Sequence, residues 1–136
     1  MRNINYIVVH CTATPQNTTI ESIQKYWREV LKWHAPGYHY IIKSSGELVQ
    51  LLPIEQVSNG VAGYNSQCIN IAYIGGVDNN GKPIDNRTPA QKDMLLKLLK
   101  QLKQQFPKAI IQGHRDFPGV KKACPSFDAK DEYKNI

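Results

Sequence analysis

Two histidines and a cysteine, His10, His114 and Cys124, are the residues of this chain best suited to hold a metal ion. His114 and Cys124 lie ten positions apart in the stretch GHRDFPGVKKACPSFD (113–128), in which Pro118, Gly119 and Pro125 favour loop conformations. Imidazole nitrogen and thiolate sulfur suit a borderline-soft cation such as Zn2+. Three protein ligands leave a fourth position for water, and bound zinc draws the pKa of that water down to about 7. Each residue has a plainer alternative. His10 is equally readable as a hydrogen-bonded core histidine, and Lys122, two positions before Cys124, as a surface lysine.

The elements around these residues explain how they could meet. Residues 4–9, INYIVV, form an apolar β-branched run, the pattern of a buried central strand, and His10 stands at its C-terminal end. Open α/β sheets place their sites beyond such strand ends. Cys11 points to the opposite face and is read as a small buried residue. Thr18 to Glu21 is a capping box opening a helix whose apolar face is Ile20, Ile23, Trp27, Val30 and Leu31, with Pro36-Gly37 as its stop. Trp27 is assigned to the core and His34 to an exposed helix end.

Residues 38–43 and 47–52 read as a hairpin closed by Ser44-Ser45-Gly46. Residues 53–67 form an irregular loop, and 69–74 a further strand. Thr88-Pro89-Ala90-Gln91 opens a second helix with its buried stripe at Met94, Leu95, Leu98, Leu99 and Leu102. Residues 109–112 then form a last short strand running into His114. Strands alternating with two long helices predict one α/β domain over 1–136, a mixed central sheet flanked by helices.

Bulk properties exclude several classes. A chain of 136 residues, 41% hydrophobic and 21% charged, supports one core and has no apolar run long enough to span a membrane. Three cysteines without a CxxC pair argue against a disulfide framework. The net charge of +6 favours anionic partners, but the basic residues are scattered rather than striped, so no nucleic-acid partner is expected. No signal-peptide pattern opens the chain.

The segments VVHCTAT (8–14), GYHYIIKSSGEL (37–48), GYNS (63–66), INIAYIGG (69–76), TPAQ (88–91), GHRD (113–116) and KACPSFD (122–128) together resemble the type-2 N-acetylmuramoyl-L-alanine amidases, the zinc amidases of the phage-lysozyme and peptidoglycan-recognition-protein group. The resemblance covers nearly the whole chain. It implies that fold, zinc held by His10, His114 and Cys124, and catalytic assistance from Tyr38 and Lys122. It also implies cleavage of the amide between N-acetylmuramic acid and L-alanine in peptidoglycan. An endolysin-like monomer is expected, made in the cytoplasm and acting on the wall after release. Many relatives carry a histidine shortly before GYN, where this chain has Asn59-Gly60-Val61-Ala62, and Pro118-Gly119 lengthens the loop before Cys124.

Asp116 and Asp128 are candidates either for orienting the ligand histidines or for capping loops. Arg115 is a candidate forked donor to a substrate carboxylate. The alternatives to a zinc amidase are a cysteine hydrolase, with Cys124 as nucleophile and His114 as base, and a non-catalytic peptidoglycan-binding module.

Overall fold

The computed structural model describes residues 2–136. Its centre is a five-stranded sheet made of β1 (Tyr6–Cys11), β2 (Tyr40–Ile42), β3 (Leu48–Gln50), β4 (Cys68–Tyr73) and β5 (Ile110–Gly113). The strand order is β3-β2-β4-β1-β5. Only the β2–β3 hairpin pairs antiparallel, so the expected mixed sheet is found. β1 lies between β4 and β5, which explains why INYIVV carries apolar side chains on both faces: Ile7, Val8 and Val9 are all fully buried.

Each face has its own cover. Ile7, Val9 and Cys11 of β1 and Ile69, Ile71 and Tyr73 of β4 meet helix α2 (Pro89–Gln105) and the short α3 (Ala129–Glu132) in the main core. On the reverse face, Ala72 and Ile41 pack under helix α1 (Ile20–Glu29) through Ile20, Ile23 and Trp27. Alternation therefore sends Cys11 into the core and His10 to the α1 side, as the pattern predicts.

The capping box of α2 is complete: Thr88 Oγ1 accepts from the Gln91 amide at 3.1 Å, and Gln91 Oε1 accepts from the Thr88 amide at 3.0 Å. Gln91 also reaches the sheet, its Nε2 donating to the carbonyls of Ile42 and Ile74. The sequence pattern does not place α1 as well. Its N-cap is Thr19, which accepts from the Ser22 amide at 3.2 Å, so the Thr18–Glu21 capping box does not form. The helix also stops at Glu29, well short of Pro36. Lys32 turns into a positive φ of 59°, and Trp33 folds back with its amide donating to the Trp27 carbonyl. The indoles stack at 6.3 Å, leaving Val30 and Leu31 exposed rather than buried. The half-buried second indole packs on Trp27 in place of a further helical turn. The hairpin strands are likewise shorter than their apolar runs, and Tyr38 precedes β2.

Candidate metal centre

His10 and His114 are brought together by strand register. Val9 of β1 pairs with Gly113 of β5, so the next residue along each parallel strand is one of the two histidines. Their ring centroids are 4.8 Å apart. His114 begins a 3-10 turn (His114–Asp116) at which β5 ends. Asp116 Oδ2 accepts from the Gly113 amide at 2.8 Å and holds that turn. Cys124 returns to the same point because the Arg115 amide donates to its carbonyl at 2.9 Å, while the Tyr73 hydroxyl donates to the next carbonyl, Pro125, at 2.6 Å.

Among the described residues, His10, His114 and Cys124 form a group whose ligand atoms all lie within 4.8 Å of one another. His10 Nδ1 is 3.8 Å from Cys124 Sγ, and the Cys11 amide approaches that sulfur at 3.2 Å. The spatial expectation for these three residues, drawn from strand ends and one loop, matches the geometry.

The electrostatics suit neutral nitrogen ligands. Burial, then the nearby His114, pulls the His10 pKa down to about 3. Burial and then the Lys122 charge also lower His114. Both rings thus keep a free lone pair at neutral pH. The neighbouring Cys124 thiol draws the Cys11 pKa down to about 7, while Cys11 and then burial push that of Cys124 up. A divalent cation facing Cys124 would reverse that order, since a coordinating thiol gives up its proton.

Tyr38 and Lys122 flank this centre differently. The Tyr38 ring lies 5.0 Å from that of His10 and edge-on to Trp27 at 5.5 Å. Its hydroxyl donates to the Cys11 carbonyl at 3.3 Å. Burial, then the cysteines, raises its pKa well above the ordinary phenol value, so it remains an O–H donor. Lys122 is exposed and lines two clefts that meet at His114. The larger, about 680 Å³, runs from the metal ligands along α1, with Ile23, Trp27 and Trp33 in its wall. The smaller, about 380 Å³, lies beside Tyr64, Phe117 and Val120. Trp27 is therefore both core and cleft wall.

Other candidates separate from the site. Asp116 and Asp128 are caps, Asp128 accepting from the Asp131 amide at 3.2 Å. His34 and Arg115 are exposed. The residue that does contact a ligand histidine is Asn70, whose Oδ1 lies 2.8 Å from His10 Nε2. Asn70 is fully buried on β4, two residues before the register partner of His10 and on the same face. Its alternation with Ile69 and Ile71 marked an inward-facing polar residue, and that was the signal available for it.

Two imidazoles and a thiol at the open ends of parallel strands, at the foot of a cleft, form an arrangement of the metallohydrolase kind. The model of the N-acetylmuramoyl-L-alanine amidase family matches residues 1–127, and the chain belongs to that family. It is 38% identical to the endolysin of Klebsiella phage KP32 over 126 residues, 91% of this chain and 82% of the relative. Among solved structures, the Ph2119 endolysin from a Thermus scotoductus bacteriophage superposes with a TM-score of 0.79 at 26% identity, over 92% of this chain and 79% of that one. The N-acetylmuramoyl-L-alanine amidase LysC from Clostridium intestinale gives 0.79 at 25% identity, over 96% and 82%.

Proposed function

We propose that the chain is a zinc-dependent, endolysin-like N-acetylmuramoyl-L-alanine amidase. Its substrate is peptidoglycan, and the bond cut joins the lactyl group of N-acetylmuramic acid to L-alanine. The observation that carries the reading is the convergence of His10, His114 and Cys124 at the foot of the larger cleft. The donor set fits zinc: two imidazoles kept neutral by burial, and a sulfur that receives a backbone N–H. When bound there, zinc supplies Lewis-acid activation of water and of the scissile carbonyl at neutral pH.

The chain's own residues do the rest. The walls formed by Trp27 and Trp33 hold the substrate and limit water beside the ligands. Lys122, on the shared rim of both clefts, places an ammonium where negative charge grows on the carbonyl oxygen, an effect worth on the order of a hundredfold or more in rate. Tyr38, kept protonated, gives up its 3.3 Å bond to the Cys11 carbonyl and donates to the same oxygen. Lys122 is also the group suited to deliver a proton to the leaving amine. The net charge of +6 favours approach to an anionic wall. Among the described residues no helix is long and apolar enough to cross a membrane.

The cysteine-hydrolase alternative is weaker. Its base, His114, is lowered by burial and then the Lys122 charge, and its nucleophile, the Cys124 thiol, is pushed up by Cys11 and by burial, away from the reactive thiolate. The two readings part on purified peptidoglycan digested with and without a chelator, with products read by mass spectrometry. Free stem peptides beginning at L-alanine, released only when metal is present, are the expected result. Release that is indifferent to chelation would overturn the proposal.

A further inference from the structure

A chain of buried polar groups runs from the ligand His10 away from the cleft. Asn70, Ser58 and His39 are all fully buried, and each touches the next. Asn70 Nδ2 lies 2.7 Å from Ser58 Oγ, and Ser58 Oγ lies 3.3 Å from His39 Nδ1. A polar chain of this length in a small core would be costly unless its members satisfied one another. None of the three is a metal ligand or lines the site as a reacting group.

The proton positions in this chain follow from its far end. The Asn70 main-chain N–H donates to His39 Nδ1 at 3.0 Å, so that nitrogen carries no proton. The other, Nε2, faces the Gln56 carbonyl at 2.7 Å and must donate to it. The Arg2 guanidinium nitrogen beside it is directed at the carbonyls of Ile54 and Cys68. Two backbone groups therefore set the tautomer of His39. The Ser58 hydroxyl, 3.3 Å from His39 Nδ1, donates to that lone pair alongside the Asn70 N–H, which leaves Ser58 Oγ to accept from Asn70 Nδ2. That orientation turns Asn70 Oδ1 towards His10 Nε2, which must then donate. The remaining nitrogen, Nδ1, presents its lone pair towards Cys124 and His114.

We infer that Asn70 is a positioning residue that holds His10 in its Nε2–H form, through a tautomer relay anchored at His39, so that Nδ1 is free to ligate. The inference rests on the zinc reading above for its consequence, but the tautomer itself is a property of the metal-free chain. Gly60 is part of the device: a Cβ there would overlap the Asn70 amide group. The missing side chain is thus the space in which Asn70 sits.

The test uses the full-length, 15N-labelled protein, metal-stripped and then zinc-loaded. Ring-nitrogen NMR reads the His10 tautomer, and competition with a chromogenic chelator reads zinc affinity. Wild type should show a single Nε2–H form of His10. Asn70→Ala should lose that single form and bind zinc about 10–100-fold more weakly. Asn70→Asp, which keeps the acceptor, should restore the tautomer and most of the affinity. Ser58→Ala and Gly60→Ala should shift both readouts in the same direction by less.

An Nδ1–H His10 in the wild type would overturn the inference, as would a folded Asn70→Ala protein with unchanged tautomer and affinity. If Asn70→Ala fails to fold, unchanged tautomers in both Ser58→Ala and Gly60→Ala would overturn it. If the wild type takes up no zinc, the proposed function falls, and the NMR readout alone still decides the role of Asn70.

Discussion

Two buried polar clusters sit on either side of the segment from Cys124 to Asp128, and they are finished in opposite ways. Beyond Phe127, the Arg87 side chain is only 2% exposed. All five of its N–H donors are used: two contacts to Asp85, two to Glu132 and one to the Tyr133 hydroxyl, between 2.9 and 3.0 Å. Its guanidinium also stacks on Phe127, 3.5 Å from the ring centroid. Burial works against its charge, but the two carboxylates more than compensate and its pKa is raised. At Cys124, by contrast, two imidazoles stay neutral and turn lone pairs towards a thiol. A saturated cluster locks α3 and the end of the Cys124 loop to the body of the fold. An unsaturated one has the form of a receptor for a cation. Burial alone does not separate structural polar groups from functional ones; unused ligand capacity does.

The largest expected effect tests the receptor side. His10→Ala, His114→Ala or Cys124→Ala should each reduce peptidoglycan cleavage to the level of chelator-treated wild type while the protein stays folded by circular dichroism. Zinc retained at wild-type stoichiometry in any of the three would break the comparison. Lys122→Ala should lower kcat on the order of a hundredfold with zinc content unchanged, since it removes charge from the reaction and not a ligand.

On the saturated side, Arg87→Met should cost about 2–3 kcal/mol in urea unfolding. That is below the 3–5 kcal/mol of a fully buried broken pair, because Asp85 and Glu132 still reach water. Metal content per folded molecule should hold. Tyr38→Phe keeps the ring and loses a hydroxyl donor to the developing oxyanion, so kcat should fall roughly tenfold to a hundredfold.

The smallest effect is in pH. Hydrogen bonds from Arg87 depress the pKa of Asp85 and Glu132, so their contribution is present above about pH 4, the unfolded carboxylate value, and fades as pH falls through the lower folded values. His10, His114 and His39 are also depressed, each chiefly by burial, so their neutral forms favour the folded state above about pH 6.5, an advantage lost progressively as pH drops below that value towards the folded values. The thermal midpoint should therefore decline in two stages on acidification. Arg87→Met should blunt only the lower one; loss of the upper stage in that variant would show that the clusters are not separate.

The strands and both long helices were legible because each announces itself locally: the β-branched run of β1, the Thr88–Gln91 capping box, and the leucine stripe of α2. The ends of α1 were not. Its N-cap differs by one residue and its stop depends on Trp33 packing against Trp27, a contact between side chains that no spacing rule encodes. α3 was missed because a four-residue helix has too few turns for a periodic pattern. Arg87 carries no local sign of its burial either, because Phe127, Glu132 and Tyr133, forty or more residues further on, enclose it.

The sequence by itself determined which residue types were available to hold a metal, and it placed two of them at strand ends, because alternation and strand termination are properties of neighbouring residues. Their meeting point was decided only by tertiary structure, through the parallel register of β1 with β5 and the return of the Cys124 loop. The pairing of Asn70 with His10 belongs to the same level. Sixty residues of chain separate them, and only adjacent strands of one sheet, with nothing but a hydrogen at Gly60 above them, bring that amide to that ring.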